Sequence, residues 1–347
     1  MTHKYKGSTP FLSWALNMVF TPPLCAHKIT SSPSVTTNSG FLKAMVSARF
    51  SSDHPSYLDL YFDHYVPDRP KGVGVIIATG MVEHRKHYTW LASRMCACGY
   101  DVFVFDHRGH GQSVLEGSSE IAWGEMGENG FEHAVLDLAK FIRVVRGICK
   151  GYKLVVLGHS MGSLLARRLI QHGYTSLDAL ILTGTPSPFR GLKWCARLAR
   201  GLCALHCSPR WNLSVLFGLH PRVRAFGFRG AWLCKDPKAL KRYRADKASR
   251  FTFSMNSFAC LLEGAHLVFS AHAYGDKNLP ILLMSGLEDV CGGFGVGVIK
   301  AYNALRAQGF KQVSLQLLEQ GRHKIFEEPE KEEILQILLT WLEQRGL

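Results

Sequence analysis

The sequence predicts an α/β fold, a mostly parallel sheet with helices on both faces and a helical insertion over its carboxyl edge. Short apolar runs such as GVGVIIATG (72–80), KLVVLG (153–158) and LPILLMSG (279–286) suit strands buried on both faces. Stretches of helical periodicity lie between such runs, as in FEHAVLDLAKFIRVVRGICK (131–150). The alternation stops between about 186 and 275 and then resumes. An insertion there covers the edge at which open α/β sheets keep their ligand sites.

Residues 1–50 carry little periodic signal and are expected to form an N-terminal arm. Their apolar stretch, Phe11–Phe20, is too short to span a bilayer. Ser13, Asn17 and Pro22-Pro23 make a poor signal peptide, so a packed or membrane-touching arm is expected rather than secretion. YLDLYFDHYVP (57–67) alternates as a strand with one exposed face. The buried strand 72–80 leads to a helix near 86–98, and DVFVFDHRGHG (101–111) is a strand running into a glycine loop. Helix 131–150, strand 153–158 with its following helix, and strand 177–185 continue the pattern. After the insertion come strand 279–286, helix 295–308, strand 312–319 and helix 329–344. The expected division is a core of 51–185 and 276–347, with a cap over 186–275.

A chain of 347 residues with 47% hydrophobic and 20% charged residues is globular. Its ten cysteines include no C-x-x-C pair, and Cys96-x-Cys98 is too tight for the usual zinc spacing. Several lie within apolar stretches and are expected to be buried, reduced thiols, so a cytoplasmic location is expected. The net charge of +14 is concentrated: between Arg190 and Arg250 fifteen basic residues face only Asp236 and Asp246. Such a patch suits an anionic bilayer or an anionic ligand. No nucleic-acid-binding motif accompanies it.

GHSMG (158–162) sets Ser160 between two glycines where a buried strand turns into a helix. This is the G-x-S-x-G pattern, in which the glycines let strand and helix pack closely around an exposed, strained serine. A serine that merely capped a helix would need neither glycine. A serine hydroxyl becomes a nucleophile when a base takes its proton. Asp289 follows strand 279–286 and His323 follows strand 312–319, both just past strand ends. The chain order Ser160, Asp289, His323 is that of an α/β-hydrolase. His107 and His110 precede the serine, His159 points away from it across the turn, and Glu288 and Asp276 are the rival acids. Two N–H groups must hold the oxyanion, from Met161 after the serine and from Met81 in the loop after strand 72–80. A phosphate-loop reading of DHRGHGQS (106–113) fails for want of the lysine. With His323 as base, kcat/KM is expected to rise through a pKa near about 6.5.

As a set, these motifs carry a family resemblance. TGMVEH (79–84) resembles the HG-x-x-E-H loop of monoglyceride lipases, FDHRGHGQS (105–113) their D-x-R-G-H-G-x-S loop, and GHSMGS (158–163) their serine turn. WLCKDPKALKRYRADKASRFTF (232–253) is similar to the cap of bacterial lysophospholipases and monoacylglycerol-lipase-like hydrolases. The likeness covers about 50–345 and implies Ser160, Asp289 and His323 as triad, with Met81 and Met161 as oxyanion donors. Thr79 departs from the family's usual histidine, which bears on the rigidity of the loop. The expected function is hydrolysis of single-chain lipid esters, lysophospholipid or monoacylglycerol, through an acyl-enzyme on Ser160. Leu213, Val215, Leu216 and Phe217 are expected in the acyl channel. The basic cap would meet a phosphate or an anionic membrane, and neither metal nor organic cofactor is implied. Short esters, thioesters and peptides remain alternative substrates, and a non-catalytic binding module remains the alternative class.

Overall fold

The computed structural model describes residues 42–53, 58–115, 122–174, 176–189, 191–205 and 230–347. The strands are β1 (Leu42–Ser51), β2 (Asp59–Pro67), β3 (Val73–Ala78), β4 (Asp101–Phe105), β5 (Lys153–His159), β6 (Ala179–Thr183), β7 (Ile281–Gly286) and β8 (Val313–Leu318). They form one sheet in the order β1-β2-β4-β3-β5-β6-β7-β8. β2 runs antiparallel to both β1 and β4, and every other pair is parallel.

Period-two alternation sorts the strand side chains between two cores. Val75, Ile77, Val155, Leu157, Ile181 and Met284 face α1 (Thr89–Ala97) and, at the C-terminus, the helix Lys331–Glu343. Ile76, Ala78, Val156, Leu180, Leu182 and Leu283 face the opposite way, under α2 (Gly130–Ile148) and α3 (Met161–His172). On α2 the residues Phe131, Val135, Leu138, Ile142 and Val145 recur at helical spacing and are all buried. Helices on both faces explain why β3 to β7 are apolar almost throughout.

β1 lies within the stretch where the sequence shows little periodicity. Among its described side chains only Ala48 and Phe50 are fully buried, so an edge strand needs few apolar positions. Phe50 anchors it by stacking on Phe141 of α2, with centroids 4.9 Å apart. Residues 42–50, expected in an arm, therefore belong to the sheet. The apolar stretch Phe11–Phe20 lies outside the described residues.

Between β6 and β7 the chain forms α4 (Leu192–Ala204), α5 (Pro237–Ala245) and α6 (Met255–Ser270), with no strand among the described residues. Asp236 starts α5 by accepting from Lys238 N at 2.8 Å, and Ser254 starts α6 by accepting from Ser257 N at 3.1 Å. α6 packs on α2, α3 and α4, and residues of α4 and α6 line a cavity together with Ser160. The last crossover supplies α7 (Val296–Ala307), and the C-terminal helix is α8. Among the described residues no helix is long and apolar enough to cross a membrane.

Candidate active site

Ser160 is the residue between β5 and α3, and it adopts φ 53° and ψ −115°. A non-glycine residue at positive φ is strained, and the surrounding packing must hold it there. A Cβ on Gly162 would lie 2.1 Å from the Ala78 carbonyl oxygen, and one on Gly158 would lie 2.5 Å from that of Gly162. Only glycine lets α3 seat this tightly against β3 and β5. The Ser160 N–H donates to Thr183 O at 2.9 Å, which ties the turn to the end of β6.

The loops after β7 and β8 bring Asp289 and His323 to this turn. Ser160 Oγ lies 3.0 Å from His323 Nε2. His323 Nδ1 lies 3.0 and 3.1 Å from the two oxygens of Asp289. Asp289 is fully buried and also accepts from Cys291 N at 2.8 Å and from Ser285 Oγ at 3.3 Å. Burial opposes its charge, but His323 and the backbone N–H groups of Gly292 and Cys291 win and hold its pKa below the usual carboxylate value. Burial likewise opposes an imidazolium at His323. Cys291 and Asp289 beside the ring outweigh it and raise the pKa well above 6.5.

This moves the pH profile from the sequence expectation. His323 must be neutral to accept a proton from Ser160, so kcat/KM is expected to rise with pH through a pKa above the ordinary value of about 6.5. A profile of kcat/KM against pH for a soluble ester checks this, and an acid limb at or below that value would contradict it.

The rival groups face elsewhere. Glu288 binds Lys235 at 2.6 Å and Arg322 at 3.3 Å, and Asp276 accepts from Asn278 N. His107 and His110 are buried, and burial pushes their pKa values down to about 3 and about 4. His159, also pushed down to about 3 by burial, turns Nδ1 toward Thr183 Oγ1 at 3.0 Å.

Met161 opens α3, so its N–H has no carbonyl one turn earlier to bind. Met81 lies in the turn after β3 and lines the same cavity as Ser160, Met161 and His323. Sequence reasoning missed what stiffens this turn. Glu83, buried, accepts from Gly80 N at 3.0 Å, from the Tyr88 hydroxyl and from Lys324 Nζ at 2.9 Å. Burial opposes its charge, but Lys324 holds its pKa well below 4.5. Glu83 therefore supplies the rigidity left open by Thr79, whose buried Oγ1 has no hydrogen-bond partner. The signal was present, because Glu83 stands inside TGMVEH.

A second brace fixes the His323 loop to the cap. Glu328 is buried and accepts from Arg322 N at 2.6 Å and from Lys235 N at 2.7 Å. Lys324 N donates to Leu233 O at 2.7 Å, and the Trp232 ring lies 5.2 Å from that of His323. Nothing in the local pattern around Glu328 marks it.

The cavity over Ser160 has a volume of about 1190 Å³. That exceeds the roughly 300–1,000 Å³ usual for small-molecule sites. Its walls are mainly apolar, with Leu192, Leu202, Met255, Phe258, Leu262 and Phe269 among them. Arg244, Arg250 and Tyr243 add a polar border. Leu213, Val215, Leu216 and Phe217, expected in the channel, lie outside the described residues.

The family described as "Serine aminopeptidase, S33" matches residues 68–330. A monoacylglycerol lipase of Mycolicibacterium smegmatis is 23% identical over 284 residues, spanning 82% of this chain and 92% of its own. Lysophospholipase L2 of Escherichia coli K12 is 33% identical over 110 residues, 31% of each chain. Among solved structures, a highly thermostable carboxyl esterase from Bacillus coagulans matches with a TM-score of 0.77 at 22% identity. That match covers 88% of this chain and 99% of the esterase, and it concerns the fold.

Proposed function

Because the chain belongs to the "Serine aminopeptidase, S33" family and is an α/β-hydrolase related to monoacylglycerol lipases and lysophospholipases, we propose that it hydrolyses single-chain lipid esters through Ser160. The observation that carries this reading is the Ser160–His323–Asp289 chain of hydrogen bonds at the floor of a large apolar cavity. His323 Nε2 takes the Ser160 proton as Oγ attacks the acyl carbonyl. Asp289 keeps Nδ1 protonated and stabilises the imidazolium that forms. The N–H groups of Met81 and Met161 receive the oxyanion. His323 then protonates the leaving alcohol, and the acyl group stays on Ser160. Water, deprotonated by His323, attacks this acyl-enzyme and releases the fatty acid and free Ser160.

The cavity walls suit one acyl chain, and Arg244 and Arg250 at the border suit a phosphate head group. A panel of lysophospholipids, monoacylglycerols and short p-nitrophenyl esters tests the reading, with Ser160→Ala as control. Long-chain esters are expected to give the higher kcat/KM. Preference for short esters would replace the lipid reading with that of a general esterase, and turnover of none would remove the enzyme reading. All eight described cysteines are free, which supports a reducing compartment.

The cap also supports contact with an anionic bilayer. Trp194, Leu198 and Leu205 on and beside α4 are 70%, 67% and 73% exposed, and Lys193 and Arg197 are exposed beside them. An amphipathic helix of this kind lies in the membrane interface. Each basic side chain near such a surface contributes about 1 kcal/mol, and the attraction fades as the Debye length falls from about 10 Å at 0.1 M salt to about 3 Å at 1 M. Changing exposed Lys193, Arg197, Lys238 and Lys241 together to Glu is expected to raise the apparent KM on anionic vesicles at low salt. The soluble-ester activity is expected to stay near wild type. Equal vesicle activity in both proteins at low and high salt would contradict membrane recruitment.

A further inference from the structure

We propose that His84, His87 and Asp246 form a binding site for a divalent late first-row metal ion, of which zinc is the probe, at the junction of core and cap. His84 Nε2 and His87 Nε2 lie 2.5 and 2.8 Å from Asp246 Oδ2. All three donor atoms lie within 4.8 Å of one another. Ser249 Oγ adds a fourth oxygen, 3.2 Å from His87 Nε2 and 3.3 Å from Asp246 Oδ2. Two imidazoles and one carboxylate, with a fourth position left to water or a hydroxyl, are a common zinc ligand set. The same donors are a poor match for magnesium or calcium, which take oxygen ligands.

The fold presents these donors on fixed backbone. His84 immediately precedes the single turn Arg85–Tyr88 and His87 lies within it, and the three-residue spacing puts both rings on one side. Asp246 follows α5, and its other oxygen is held by Ala248 N at 2.9 Å. Oδ2 is thereby aimed at the two rings. A tetrahedral ion with ligands at about 2.0–2.1 Å sets donor atoms about 3.3 Å apart, so each histidine need open from Asp246 Oδ2 by less than about 1 Å. The side chains of His84, His87 and Asp246 are 12%, 12% and 24% exposed, so an ion has an entry path. Lys324, a nearby cation, is already paired with Glu83.

No spacing motif reveals the trio in sequence, because 162 residues separate His84 from Asp246. An ion held there would join the cap segment carrying Tyr243 and Arg244 to the loop that follows Met81. The site would thus stiffen the cavity border without entering the reaction. The proposal does not depend on which ester is cleaved.

Calorimetric titration of the full chain with zinc chloride near neutral pH tests it, with magnesium chloride as control and thermal melting as a second readout. The described residues offer one other such group, Asp289, Cys291 and His323, so Cys291→Ser separates the two. One saturable zinc site that raises Tm is expected. Its affinity should fall in His84→Asn and in Asp246→Asn by more than the roughly 10–100-fold that losing an outer-shell partner costs. Cys291→Ser is expected to bind as wild type does. Asp246→Asn retains an oxygen for Ala248 N, so that variant is expected to fold even if the histidine variant does not. Absence of saturable binding, binding unchanged in Asp246→Asn, or binding lost in Cys291→Ser alone would each overturn the proposal.

Discussion

Ser160→Ala is expected to lower kcat by on the order of 10⁶ while leaving the fold intact. Ser160 Oγ is 3.0 Å from His323 Nε2, and no other described serine hydroxyl has this partner. The neighbouring Ser163 instead donates to Ser160 O at 2.6 Å and is buried. A fluorophosphonate probe is therefore expected to label Ser160 alone. The fold should survive because alanine meets the same backbone conformation, φ 53°, with no larger side chain. Ser160→Gly should be as inactive yet more stable than Ser160→Ala by about 1 kcal/mol, since glycine accepts positive φ without strain. Probe labelling and turnover measure the first effect, and thermal or urea melting measures the second. Labelling that persists in Ser160→Ala would remove this serine from the mechanism.

The serine turn was legible in sequence because its constraints are local. Gly158 and Gly162 touch backbone, and such contacts admit one residue type wherever the turn occurs. Parallel strands buried on both faces were legible for a similar reason, since every position of β3 must be apolar. β1 was not, because it borders one strand and buries few side chains. Glu83 and Glu328 were visible as residues but not as braces. Lys324 for the first and Lys235 for the second stand far away in sequence and meet them only when the chain folds, and the nearer Arg322 N reaches Glu328 through a loop that no local pattern marks. The pKa of His323 was missed on the same ground: burial and Asp289 act through the folded site, and no local pattern reports their balance.

Asp289→Asn is expected to lower kcat by on the order of 10⁴, and Glu288→Gln to leave it near wild type. The two carboxylates are adjacent in sequence, yet the turn after β7 sends them opposite ways. Asp289 turns inward, fully buried, with both oxygens on His323 Nδ1. Glu288 turns outward to Lys235 and Arg322 and remains a third exposed. An asparagine at 289 presents an amide that can donate to Nδ1, which favours the tautomer protonated on Nε2. That tautomer cannot accept the Ser160 proton. The same change removes the negative charge that stabilises the imidazolium, so the acid limb of kcat/KM should move to lower pH as activity falls. At 288 the loss is one partly exposed pair of ion contacts, a modest effect on stability. Steady-state kinetics of both variants across pH decide the matter. If Glu288→Gln were the crippled variant and Asp289→Asn the active one, the orienting carboxylate would be Glu288.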